Sequence, residues 1–383
     1  MDQPALRRIL IGLTVKEPTE LARLSAKDWV RLDAMAAQHR LQPLLHAFHR
    51  DDGRITGDIR AGWRAAHRSA AMVSLVQQAD LAETAALLEA RGFAPIALKG
   101  SYLAWHAYPE PALRPMRDLD LLVEPENVVP AFGCLQAAGY RLGEAPEMPL
   151  ADIVRLEKHL PVLIAPRGTP VELHHRLWEP SGRLDHATPA PAEADIRQRA
   201  IRLAGIAFPA PEDTLAHLIV HAVYGHRLDC GPLVLSDLRF LAQGQVIDWD
   251  RFWGRAEREG WAGAAGLLFA LARLPLPWQS LEPPSALLAL APDLLLQNLG
   301  TRQSAGFGAA VITGGPAALL RRLTGKRQAT GVVAARRDMA GEGGALGWAW
   351  SRLRRTVGDL ASGEVRRQSR DLARLSRWLG SNP

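Results

Sequence analysis

The sequence predicts an α+β fold: a small mixed β-sheet flanked by helices, with helices before it and an all-α region after it. Two patterns predict this. Helix-period apolar spacing with recognisable caps fills residues 1–92 and resumes over 211–275. Between them, short alternating or apolar segments at 95–98, 118–123, 160–165 and 171–175 are separated by turns bearing Gly or Pro.

Each element follows from its residues. Ser25 is placed to cap a helix starting near Ala26, whose Trp29, Leu32 and Met35 share a face. A longer helix is expected over 58–91, with Gly92 as its stop and Leu75, Leu81, Leu87 and Leu88 on its buried side. Pro125 suits the first turn of a helix ending at Gly139. Residues 160–165, a turn containing Gly168, and 171–175 read as a hairpin, and 202–208 as one last short strand. Pro211 opens a helix carrying His217 and His221 on one face, and Asp248 caps a helix from Trp249. The prolines of 275–284 read as a linker, 306–315 and 341–347 are Gly-rich, and 352–379 reads as a basic helix. Gly325-Lys326 is no phosphate loop, because Leu320 stands where that pattern needs Gly. The expected division is 1–75 (N-terminal helices), 76–208 (sheet core), 209–278 (helical domain) and 279–383 (a basic, partly helical extension).

Composition narrows the class. The 383 residues are 48% hydrophobic and 22% charged, as in a globular protein of two or three domains. Two distant cysteines, Cys134 and Cys230, exclude a disulfide framework and a zinc knuckle. The first residues lack a basic-then-apolar pattern, and no apolar run reaches the roughly 20 residues of a membrane helix. A cytoplasmic protein with no membrane span is therefore expected. Residues 321–383 carry a net charge of +9 and the rest −3. The basic tail is a candidate contact for an acidic partner or nucleic acid; the commoner role of such a segment is a solvated Arg-rich helix.

The chemistry concentrates in 98–123 and 171–174. In a strand, Asp118 and Asp120 point one way and Leu119 and Leu121 the other, into a core. Paired carboxylates on one face repel, and a divalent cation relieves that, as in Mg²⁺-dependent phosphoryl chemistry. Glu172 and His174 share a face in the same manner on a neighbouring strand. Arg114 and Arg117 either grip phosphates or form structural ion pairs, and the sequence favours neither. His217 and His221 have zinc spacing but no clear third ligand, so a histidine pair at a helix contact is the better reading. His221 and Asp237, with His174, are candidates to line a substrate cleft.

Gly100-Ser101, then Asp118-x-Asp120, then a later strand acid resembles the polymerase-β-type nucleotidyltransferase superfamily. More narrowly, Leu98-Lys99-Gly100, Tyr108-Pro109, Arg114-x-x-Arg117-Asp118-x-Asp120 and Val171-Glu172-Leu173-His174 are similar to a bacterial family of uncharacterised nucleotidyltransferases, over roughly residues 30–270. The resemblance continues through His217-x-x-x-His221, Ser236-Asp237 and Asp248-Trp249. It implies Asp118, Asp120 and Glu172 as ligands of Mg²⁺ (or Mn²⁺), and Gly100 and Ser101 as the phosphate cradle of an NTP substrate. Lys99 departs from the commoner small residue before Gly-Ser and is a candidate phosphate contact. The implied reaction moves an NMP unit from an NTP to a hydroxyl or phosphate of an unidentified acceptor, whether small molecule, sugar, peptide, protein or RNA, with release of pyrophosphate. The rival expectations are a catalytically inactive nucleotide-binding or regulatory protein, and a nucleic-acid-binding protein using the basic tail.

Overall fold

In the computed structural model, the described residues are 1–178 save 18 and 147, 193–297, 304–306, 308–309, 312–313 and 362–381. Four helices come first: α1 (Gln3–Thr14), α2 (Ala26–Gln38), α3 (Gln42–His49) and α4 (Gly57–Glu89). Seven strands follow: β1 (Ile96–Ala97), β2 (Leu119–Leu122), β3 (Arg141–Leu142), β4 (Leu163–Ile164), β5 (Pro170–His174), β6 (Ile201–Leu203) and β7 (Ile206–Phe208). They form one mixed sheet in the order β3-β4-β5-β2-β1-β7-β6. Between strands lie α5 (Gly100–Tyr102), which runs into a π-helical turn (Leu103–Ala107), α6 (Val128–Ala137), α7 (Leu150–Leu156) and α8 (Glu193–Gln198). An all-α part completes the fold: α9 (Pro211–Val220) with a π-helical turn (His221–Gly225), α10 (Leu233–Gly244), α11 (Trp249–Arg258), α12 (Ala262–Leu271), α13 (Ser285–Leu295) and α14 (Gly363–Ser381). The α+β class is therefore as expected.

Local signals act as the sequence implies. The Ser25 hydroxyl and the Asp28 carboxylate form a capping box at α2. Gly92 has a φ of +80° just beyond α4, a conformation open to glycine. Asp248 caps α11 by accepting from the Arg251 N–H at 3.0 Å. The hairpin β4–β5 turns at Gly168, with a φ of +98°.

Three expectations are corrected. Residues 202–208 are two strands, β6 and β7, because Ala204 and Gly205 both take positive φ and reverse the chain. The expected C-terminal helix begins, among the described residues, at Gly363; its arginines are exposed as a solvated Arg-rich helix requires, but its other face is docked, burying Val365, Leu372, Leu375 and Leu379 beside α13. Arg7 ties that end to α1, donating to Asp293 at 2.9 Å and Glu364 at 3.0 Å. The Gly-rich segment 341–347 lies outside the described residues, as does most of 306–315.

The third correction concerns α4. Leu75 is 61% exposed rather than buried, while Leu81 and Leu88 are fully buried. The inward face at mid-helix is polar instead. Ser74 accepts from the Trp105 indole at 3.2 Å, and Gln77 donates to the Met116 carbonyl at 3.3 Å. Asp80 accepts from Arg167 at 2.9 Å, and Thr84 bonds the Tyr140 hydroxyl at 2.7 Å. These four side chains hold the loops around the sheet, so the helix rotates its apolar residues outward. α4 also runs unbroken through residues 75 and 76.

Candidate active site

The site is built on the two central parallel strands. β2 is buried along its length, and its residues pair in register with β5: Leu119 with Val171, Asp120 with Glu172, Leu121 with Leu173, and Leu122 with His174. Leu119, Leu121, Val171 and Leu173 go into the core, at 1% exposure or less. Period-two alternation then forces Asp120 and Glu172 out side by side on the opposite face, with His174 beyond them. Their ligand atoms all lie within 4.8 Å of one another. Asp118 stands just before β2.

A lysine and a histidine face these carboxylates. The Lys99 ammonium lies 3.2 Å from Asp120 Oδ2, and His174 Nε2 lies 2.8 Å from Asp120 Oδ1 and 3.4 Å from Glu172 Oε2. Burial alone would raise Asp120, but Lys99 and then His174 hold it well below the usual carboxylate range. Burial pulls His174 down; Asp120 and Glu172 outweigh that and raise it. Burial likewise opposes the lowering of Glu172, which His174 and His159 produce. For Asp118, burial, then Asp120 and Glu172, outweigh Lys99 and Arg40 and push it up to about 6.

Lys99 reaches Asp120 from a strained backbone, with φ +45°, where β1 ends and α5 starts. Gly100 follows because a Cβ there would stand 2.9 Å from Met116 Sδ and 3.1 Å from Arg114 Nη1. Ser101 is buried and donates its hydroxyl to the Leu98 carbonyl at 3.0 Å. That bond holds the turn, and the hydroxyl oxygen keeps acceptor capacity.

The remaining candidates are distributed around this centre. Arg114 makes a two-pronged ion pair with buried Asp237, Nε to Oδ1 at 3.1 Å and Nη2 to Oδ2 at 3.0 Å, and Tyr108 donates to Oδ1 at 2.7 Å. Arg114 and Asp237 thus join the segment before β2 to α10. Arg117 is exposed. His217 is buried and His221 half-buried, their rings 5.9 Å apart, and both are held well below the ordinary histidine range by burial, then by Lys99. They sit on the last turn of α9 and the π-helical turn that follows, near enough for the Lys99 charge to act on both.

Two groups escaped the sequence reading. His159 bridges to the strand residue His174, and its Nε2 lies 3.7 Å from Glu172. Its signal was its place at the start of the apolar run before β4. Arg40, after α2, donates to the Pro115 carbonyl at 3.2 Å, and its field reaches Asp118. No local pattern announces it, because only the fold carries it there. Burial, then Arg117 and Arg114, lower Arg40 to about 10.

This layout defines a class: an acid cluster on a mixed sheet, shaped for a cation, beside a lysine and a helix start. The chain belongs to a family described as uncharacterised nucleotidyltransferases, which matches residues 25–277. No curated protein and no solved structure matches the chain. Among the described residues, no helix is long and apolar enough to cross a membrane.

Proposed function

We propose that the chain is a metal-dependent nucleotidyltransferase that moves an NMP unit from an NTP to a hydroxyl or phosphate of an acceptor and releases pyrophosphate. The carrying observation is the β2–β5 register, which sets Asp120, Glu172 and His174 within 4.8 Å of one another beside Lys99. Two carboxylates and an imidazole suit a divalent cation, and Asp118 adds a further carboxylate. Mg²⁺ accepts the oxygen donors, and Mn²⁺ accepts the imidazole as well. When bound, such a cation supplies neutralisation of phosphate charge and a lower pKa for the attacking hydroxyl.

The chain's own groups would do the rest. Lys99 and Gly100, at the start of α5, face the β- and γ-phosphates, with Gly100 keeping the backbone clear for close approach. Arg40 and Arg117 add positive charge on the Asp118 side. His159, 3.7 Å from Glu172, helps hold that carboxylate to take the proton of a hydroxyl acceptor. The acceptor oxygen attacks the α-phosphorus, the bond to the bridging oxygen breaks, and pyrophosphate leaves with that oxygen's electron pair. Positioning and charge complementarity account for most of the rate.

The test is the thermal midpoint with each NTP, with and without Mg²⁺ or Mn²⁺, beside the Asp118→Asn/Asp120→Asn variant. A ligand at about 100 times its Kd adds roughly 2.7 kcal/mol. A cation-dependent rise that the variant loses, followed by pyrophosphate release with an acceptor, supports the proposal. Binding that survives in the variant unchanged would remove these carboxylates from the mechanism.

A further inference from the structure

The exposed face of α4 carries a pattern that the site leaves unused. Ala65, Arg68, Met72, Leu75, Ala79, Ala82 and Ala86 recur at alternating spacings of three and four, and every one is exposed. This is the a/d seam of a coiled coil, lying opposite the buried face of Trp63, Ser74, Gln77, Leu81, Thr84 and Leu88. At its middle stand Met72 at 66% and Leu75 at 61% exposure, flanked by Val73 and Val76. Contiguous exposed apolar side chains on a long helix mark an interaction surface.

From these features we infer that α4 pairs antiparallel with α4 of a second copy of this chain, about a two-fold axis near residue 77. The size pattern selects that occupant and that direction. The larger seam residues, Arg68, Met72 and Leu75, all lie in the N-terminal half; the alanines 79, 82 and 86 lie in the C-terminal half. Antiparallel pairing sets Leu75 against the partner's Ala79, Met72 against the partner's Ala82, and Arg68 against the partner's Ala86. Each of these three pairings joins one large and one small side chain, and Ala65 lies beyond them, level with the partner's Glu89. Parallel pairing would instead stack Arg68 on its own copy.

Charge agrees. Arg60, Arg64 and Arg68 lie toward the N-terminus of α4 and Glu83 and Glu89 toward its C-terminus, while Asp58 opens the helix and Asp80 is buried on the inner face. Apart from Asp58, that order opposes the helix dipole. In an antiparallel pair it sets Arg64 near the partner's Glu89, on the same flank. Arg167 spans Asp80 and Glu83, and Arg202 holds Glu89, so the acidic half is partly neutralised and apolar packing is the larger contribution. A two-fold contact of this kind is self-complementary and closes at two copies.

The test is the mass of the full chain by sedimentation equilibrium over micromolar to hundred-micromolar concentrations. The expected result is a dimer that Leu75→Glu and Met72→Glu each convert to a monomer with unchanged far-ultraviolet circular dichroism. Both side chains are exposed, so the fold survives the change. In a Cys134→Ser/Cys230→Ser background, Leu75→Cys/Ala79→Cys is expected to give a covalent dimer on mild oxidation, while Ala65→Cys alone gives none. A monomeric wild-type chain overturns the inference, as does a dimer indifferent to both glutamates. Cross-linking through Ala65→Cys would also overturn it, since that residue meets its own copy only in a parallel pair.

Discussion

Replacing Asp237 by asparagine isolates a buried charge pair near the site. The change keeps shape and removes charge. Asp237 is 2% exposed and takes three hydrogen bonds, two from Arg114 and one from Tyr108. Whichever way an amide turns, its NH₂ faces donors: Arg114 Nη2 on one side, or Arg114 Nε and the Tyr108 hydroxyl on the other. The largely buried guanidinium then loses its ion-pair partner, and breaking such a pair from one side costs about 3–5 kcal/mol. Removing the whole network is different. Tyr108→Phe/Arg114→Met/Asp237→Leu leaves no stranded polar group and is expected to regain most of the loss. Urea unfolding, followed by tryptophan fluorescence and circular dichroism, measures both variants. If Asp237→Asn costs under about 1 kcal/mol, or the triple variant is as unstable as the single one, the network is not the desolvated ion pair argued above.

Asp120→Asn is expected to abolish pyrophosphate release while the circular dichroism spectrum stays native; retained turnover would count against the metal mechanism. Gly100→Ala brings a Cβ to 2.9 Å from Met116 Sδ, and overpacking of this kind costs about 1–3 kcal/mol in urea unfolding. His39 is held down to about 4 by burial, then by Arg117. The unfolded chain therefore binds the extra proton between pH 6.5 and 4, and stability is present above that window and lost as pH falls through it, by at most about 3 kcal/mol. His39→Gln should flatten that part of the stability–pH curve, and an unchanged slope would contradict the assignment.

The acid cluster was legible because strand alternation is a local rule: Asp120 and Glu172 had to oppose Leu121 and Leu173. What the sequence left open was the register that makes them neighbours, since β2 and β5 are parallel and joined by a long excursion. Arg114 shows the same limit. Its partner lies 123 residues away, and no local pattern names Asp237 over any other acid. The turn at Ala204-Gly205 was written in its glycine but hidden by the shortness of β6 and β7. Leu75 misled for another reason: apolar spacing alone assigns the inner face, and at mid-α4 that face belongs to hydrogen bonds with loops remote in sequence.

Those hydrogen bonds give α4 a further consequence. Each inward polar residue steadies a segment attached to the site: Ser74 the helix after Gly100, Gln77 the carbonyl of Met116 ahead of Asp118, and Asp80 the turn that leads into Glu172. One continuous helix about 50 Å long therefore works as a jig that gauges the spacing of all three. A single-residue insertion upstream of Ser74, between there and Trp63, would turn the rod by about 100° relative to its start and put every gauge point out of line together. The same insertion between β6 and β7 would disturb one tip. Length errors in α4 should thus be among the least tolerated in the chain.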